Sequence, residues 1–226
     1  ATDPRRQAFW IEIATVGIGF PILVALLARW LAALILGRAI RRVRATEPKS
    51  IPGRIATATI VTIFQALTVA AVLAAGWLAL KAVGRSPEAD SIARVLILAI
   101  AIQSAVGVVG RTLLAPAVPK YRPLPIEDET AAYLYTWLMR LSFVTVLGFV
   151  LSRTSIPLGA STVGAEALQI GTAAVLSGLL IMLILQSHGQ VATLIGGPQR
   201  GPVRRRVAEI WHFLAIAYVL IGFGIF

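Results

Sequence analysis

The chain has no cysteine, so it forms no disulfide, no thiolate metal site and no cysteine redox centre. It has two histidines, His188 and His212. An apolar run and a loop separate them, which is not metal-ligand spacing, and interfacial solvation is the expected role of each. Acids are scarce, ten against 21 bases. No phosphate-binding glycine loop, dinucleotide fingerprint, HExxH pair or nucleophile elbow occurs. An enzyme therefore has no support, and no catalytic residue, metal or cofactor is assigned. No internal repeat of the kind that builds inverted-repeat carriers is visible. No apolar run has a central Asp or Glu, as a proton-coupled carrier often would.

What is abundant is apolar. Apolar residues make up 58 %, charged residues 14 %, and the mean hydropathy is +0.83. Soluble domains have about 45–50 % and about 25 %. Both departures indicate an all-α, polytopic membrane protein. A net charge of +11 would point to nucleic acid in a soluble protein. Here the bases lie between apolar runs, where anionic headgroups and topology call for them, so no nucleic-acid partner is expected.

A crossing needs about 20 apolar residues for a core roughly 30 Å thick. Six runs qualify within one region, 1–226: 9–36, 55–80, 92–114, 133–151, 166–185 and 207–226. The joins "EPKSIPG", "GRSPEAD", "APAVPKYRPLP", "SRTSIPLGAS" and "GGPQRGP" each contain proline and break helices. Thirteen bases fall in the joins after runs one, three and five; six fall at the N-terminus and in the other joins. The positive-inside rule then places the N-terminus outside. The chain opens on Ala1 and closes at Phe226 inside an apolar run, so it is expected to be the ordered part of a longer polypeptide.

The first run is too long for a simple crossing, and Arg29 interrupts it. Either the crossing ends near Arg29 and an amphipathic surface segment follows, or one long tilted helix continues, with a kink at Pro21. The second is favoured slightly. Arg38, Arg41 and Arg42 share a helical face, and with Arg44 they are candidates for binding anionic headgroups. The alternative, that they only set topology, stands equally.

"RPLPIEDETAAYLYTWLMRL" carries three consecutive acids, Glu127, Asp128 and Glu129. Catalytic carboxylates would need a nearby base, metal or nucleophile, and none is in view. A helix start fits better: Pro123 and Pro125 stop the preceding chain, and the acids accept hydrogen bonds from free N–H groups at the positive end of the dipole. Tyr133, Tyr135 and Trp137 are then expected at headgroup depth. Small residues recur at i, i+4 in Ala70/Ala74, Ala101/Ala105, Ala173/Ser177 and Ala174/Gly178, spacing that lets helices approach in lipid.

"YRPLPIEDETAAYLYTWLMRL" resembles the linker and helix start of larger bacterial members of the small-conductance mechanosensitive channel (MscS-like) family. "RRRVAEIWHFLAIAYVL" resembles the next part more weakly. The resemblance implies a ring-shaped homo-oligomer, a heptamer, in a bacterial inner membrane. It implies a pore that opens under tension and releases ions and small solutes in osmotic downshock. It also implies membrane lipids as partners of the peripheral helices. The family's glycine- and alanine-patterned pore helix and β-rich cytoplasmic domain are not matched in this chain, so no pore residue is transferred. The rival expectations are a small multi-helix transporter subunit and a membrane anchor for a larger protein.

Overall fold

The computed structural model describes residues 4–45, 51–82, 86–114, 127–196 and 202–225. Every regular element among them is helical. α1 (Pro4–Glu12), a π-helical stretch (Ile13–Gly19) and α2 (Phe20–Ala45) run on as one helix. α3 (Ile51–Ala82), α4 (Pro87–Leu114), α5 (Asp128–Ser155), α6 (Thr162–Gly196) and α7 (Pro202–Gly224) follow. Lys49, Arg85, Lys120, Arg122, Pro123, Pro125 and Arg200 lie outside the described residues.

Five of these helices are long and apolar enough to cross a membrane. Of the sixth expected crossing, the described part is a shorter apolar helix, Glu209–Gly224. Each of the other expected runs lies inside a longer helix, because helix hydrogen bonding continues through polar flanks that hydropathy discounts. Proline falls at or near the first residue of α1, α3, α4 and α7. There its missing N–H would have had no intrahelical partner anyway. The "LQSHGQ" segment does not break α6. Ser187 Oγ bonds back to Leu183 O at 2.7 Å, and a single helical glycine costs only about 1 kcal/mol.

The long-helix reading of the first run holds. Residues 4–45 span roughly 60 Å at 1.5 Å per residue, about twice the hydrocarbon core. The backbone adjustment precedes Pro21 instead of falling on it. The Phe20 N–H donates to Thr15 O, five residues back, within the π stretch. Pro21 has no N–H and its ring crowds the carbonyl four residues earlier; the wider π turn relieves this, and Pro21 is fully buried.

The α5–α6 connection ends α5 with a defined cap. Gly159 has φ +96°; its N–H donates to Ile156 O at 2.9 Å, and the Ala160 N–H donates to Ser155 O at 2.9 Å. This is the Schellman pair of bonds. Ser161 Oγ then accepts from the Gly164 N–H at 3.1 Å, capping α6. Gly159→Val is expected to destabilise the protein by about 1–2 kcal/mol, the cost of a side chain in the left-handed region. A parental thermal midpoint in the variant would show that the turn is not held in this form.

The chain divides into two compact units, Ala1–Ala165 and Glu166–Phe226. In the first, α4 is the central helix: it touches α2, the π stretch, α3 and α5. Its buried face includes Ile92, Ala93, Ile97, Ala101, Val108 and Gly110. Close approach depends on glycine at two points. A Cβ on Gly76 would lie 2.7 Å from Ile97 Cγ2, and one on Gly110 would lie 2.9 Å from Leu138 Cδ2. Of the small pairs expected to serve this purpose, only Ala101 is buried; Ala70, Ala74, Ala105 and Ala174 are exposed. Large apolar side chains such as Leu23, Leu27, Trp30 and Leu31 face outward. That is costly in water and free in lipid.

Candidate functional site

Residue pairings fix the register of the first unit. Gly76 meets Ile97, Gln65 meets Arg111 and Thr62 meets Thr112, so α3 and α4 are antiparallel. Gln103 meets Ser142 and Arg111 meets Tyr135, so α4 and α5 are antiparallel too. Glu12 meets Ser86 and Gly17 meets Ala89, so the first helix runs parallel to α4.

Between these helices lies a cavity of about 560 Å³. By the same register, the half nearer the start of α4 is apolar, walled by Ile22, Leu96, Val146 and Val150. The other half contains Arg29, Gln65, Gln103, Ser104 and Arg111. The register of Glu12 and Gly17 against α4 carries Arg29 to about the level of Gln103, near the middle of α4. Arg111 lies two turns beyond, roughly 12 Å along the axis. No carboxylate lines the cavity among the described residues.

Arg111 joins three helices. Its Nε donates to Gln65 Oε1 on α3 and its Nη1 to Tyr135 Oη on α5, each at 3.4 Å. Gly107 leaves room for this, since a Cβ there would sit 3.3 Å from the guanidinium. At the last turn of α4 the cation also matches the negative end of the helix dipole. Ser142 Oγ donates to Gln103 Oε1 at 2.8 Å, and the Thr62 and Thr112 hydroxyls share a bond at 3.1 Å. Such bonds between helices in lipid contribute about 0.6–2 kcal/mol each. Arg29 has no hydrogen-bond or ion-pair partner among the described residues. The side chain is exposed on α2, and in lipid such a charge needs water or a counter-ion beside it.

None of the site candidates read from sequence lines the cavity; Tyr135 meets it only through its bond to Arg111. Arg38, Arg41 and Arg42 are exposed on α2 and do not line the cavity. Arg44 is helical, and its side chain lies outside the described residues. Glu127 is the N-cap of α5, with Asp128 and Glu129 in the first turn. The Glu127 side chain makes no capping bond; its backbone O accepts from the Ala131 N–H at 2.9 Å. Glutamate is longer than the Ser, Thr, Asp and Asn side chains that suit this position. Tyr133 packs edge-on to Trp137 at 6.3 Å, and Arg140 lies over the same indole at 5.6 Å. These same-face neighbours help cover Trp137, which is only 3 % exposed.

Sequence reasoning missed three features. Arg29 lines the cavity. Glu12 accepts the Ser86 N–H at 2.6 Å, tying the first helix to the start of α4. The histidine rings meet, with centroids 5.7 Å apart. The signal for the cavity was present as two polar residues at i and i+8 within an apolar run, Gln103 and Arg111, with the small Gly107 between them at i+4.

No family model, curated protein or solved structure matched the chain in comparisons with known proteins.

Proposed function

We propose that this is the peripheral, tension-sensing transmembrane region of a mechanosensitive ion channel. The channel is a homo-heptamer of a bacterial inner membrane that releases ions and small solutes in hypoosmotic shock, with this chain's N-terminus outside. The resemblance at residues 121–141 and 204–220 supports the channel class. The cavity between α2, α3, α4 and α5 is the observation that carries a mechanism. Its apolar half suits a lipid chain, and Arg29 and Arg111 suit an anionic headgroup. Tension shifts an equilibrium only through a difference between its two states. A lipid held in the closed state and withdrawn as the helices spread supplies such a difference.

The test is pressure-clamp recording of the full polypeptide in liposomes, where openings at a reproducible tension are expected. Absence of tension-gated current from correctly inserted protein removes the reading. Neutralising Arg38, Arg41, Arg42 and Arg44 together is expected to move the threshold, each base being worth about 1 kcal/mol at an anionic surface. An unchanged threshold leaves these four with topology alone.

The polar wall of Arg29, Gln103 and Ser104 favours one second reading, a subunit of an anion transporter. Solute flux without tension would distinguish it from a channel. A membrane anchor would show neither current nor flux.

A further inference from the structure

The 226 residues hold two histidines and no cysteine, yet both imidazoles meet across the second unit, His188 from α6 and His212 from α7. Their centroids are 5.7 Å apart and their planes cross at 61°. We propose that His188 and His212 form a two-imidazole site for a borderline divalent metal ion, Zn²⁺ or Cu²⁺, that clamps α6 to α7.

Three observations carry this. With metal–nitrogen bonds of about 2.0–2.1 Å and near-tetrahedral angles, two imidazoles on one ion have ring centres roughly 5–6 Å apart. The rings stand at that spacing already. His188 Nδ1 lies 3.0 Å from Leu185 O, one turn back on α6. A carbonyl can only accept, so this bond puts the proton on Nδ1 and leaves the Nε2 lone pair free. A ring held through its second nitrogen by a backbone carbonyl is the usual support of a metal-binding histidine. His212 has ring contacts with Trp211, Phe213 and His188, and neither of its nitrogens is hydrogen-bonded among the described residues.

The surroundings fix the geometry. Trp211 Nε1 donates to His188 O at 3.2 Å, so α7 is already pinned to the turn that carries the first imidazole. Phe213 packs on His212 at 4.1 Å between centroids. No three residues of metal-ligating type converge among the described residues, so water completes the coordination. His188 is exposed and His212 half-exposed, so neighbouring side chains enclose neither ring. Imidazole ligands select Zn²⁺ or Cu²⁺ over Mg²⁺ and Ca²⁺, which prefer oxygen.

The test uses the full polypeptide in nanodiscs, purified without a polyhistidine tag. Cu²⁺ is added alone and the coordinating imidazoles are counted by electron spin-echo modulation. Two are expected in the parent, and one or none in His188→Gln and in His212→Gln. Zn²⁺ affinity, measured by calorimetry, is expected to fall at least about tenfold in each single variant, no less than the loss of an outer-shell partner costs. Mg²⁺ is expected to bind neither parent nor variant at this site. Because neither side chain is buried, the variants should fold, and unchanged helical circular dichroism checks that they do. A single imidazole on the parent's copper overturns the proposal. So does Zn²⁺ affinity that survives in either variant.

Discussion

Leucine at position 76 is expected to drive α3 and α4 apart. Even a bare Cβ there would lie 2.7 Å from Ile97 Cγ2 and 3.0 Å from Cδ1. Ile97 cannot step aside: it is 3 % exposed, and branching at Cβ fixes its χ1. Overpacking costs about 1–3 kcal/mol, and a leucine placed in a gap too small for a methyl belongs at the upper end. Against this stands a gain of about 1 kcal/mol from removing a helical glycine. Gly76→Leu should therefore lower the thermal midpoint in detergent clearly, and Gly76→Ala only slightly. Gly171 is the control, since nothing lies within 4 Å of a Cβ there, and Gly171→Ala should be neutral or stabilising. A Gly76→Leu protein as stable as the parent would mean that α3 and α4 do not pack at this separation.

Replacing Arg29 and Arg111 with glutamine is expected to empty the cavity of anionic amphiphiles. A hydrogen bond to a charged group contributes about 1.5–3 kcal/mol, so each arginine accounts for roughly a ten- to hundredfold change in affinity. Phospholipid retained through purification, measured by native mass spectrometry, should fall in each single variant and most in the double variant. The two substitutions should diverge in stability. Arg111 bonds to Gln65 and Tyr135, so its loss loosens three helices. Arg29 is exposed and has no partner among the described residues, so in anion-free detergent its removal breaks no bond. Arg29→Gln should thus be at least as stable as the parent without anionic lipid, and less stable than the parent with it. Equal lipid retention in parent and double variant would remove the cavity from the proposed mechanism.

Local physics made much of this protein legible in one dimension. Of six apolar runs of membrane length, five lie in helices long and apolar enough to cross, because a backbone in lipid must satisfy its own hydrogen bonds within a segment. The acids of "IEDE" mark the start of α5, and the glycine of "IPLGAS" supplies the left-handed residue that ends it. The continuity of the first helix was one of two readings that its sequence allowed.

Long-range register was not legible, and it decided the rest. Which glycine of 19 meets a partner depends on the offset between helices, and one residue of slip on a helix turns a side chain by about 100°. That is why Gly76 and Gly110, not the alanine pairs, make the close approaches. The same offset sets Arg29 at about the level of Gln103 and brings Arg111 to Gln65 and Tyr135. It also joins two histidines that stand 24 positions apart. Composition and apolar run lengths were enough to read the chain as helical and membrane-spanning. Only the tertiary structure decided which of its few polar side chains share a cavity and which two imidazoles share a contact, because those pairings depend on helix phase and stagger, which no single segment encodes.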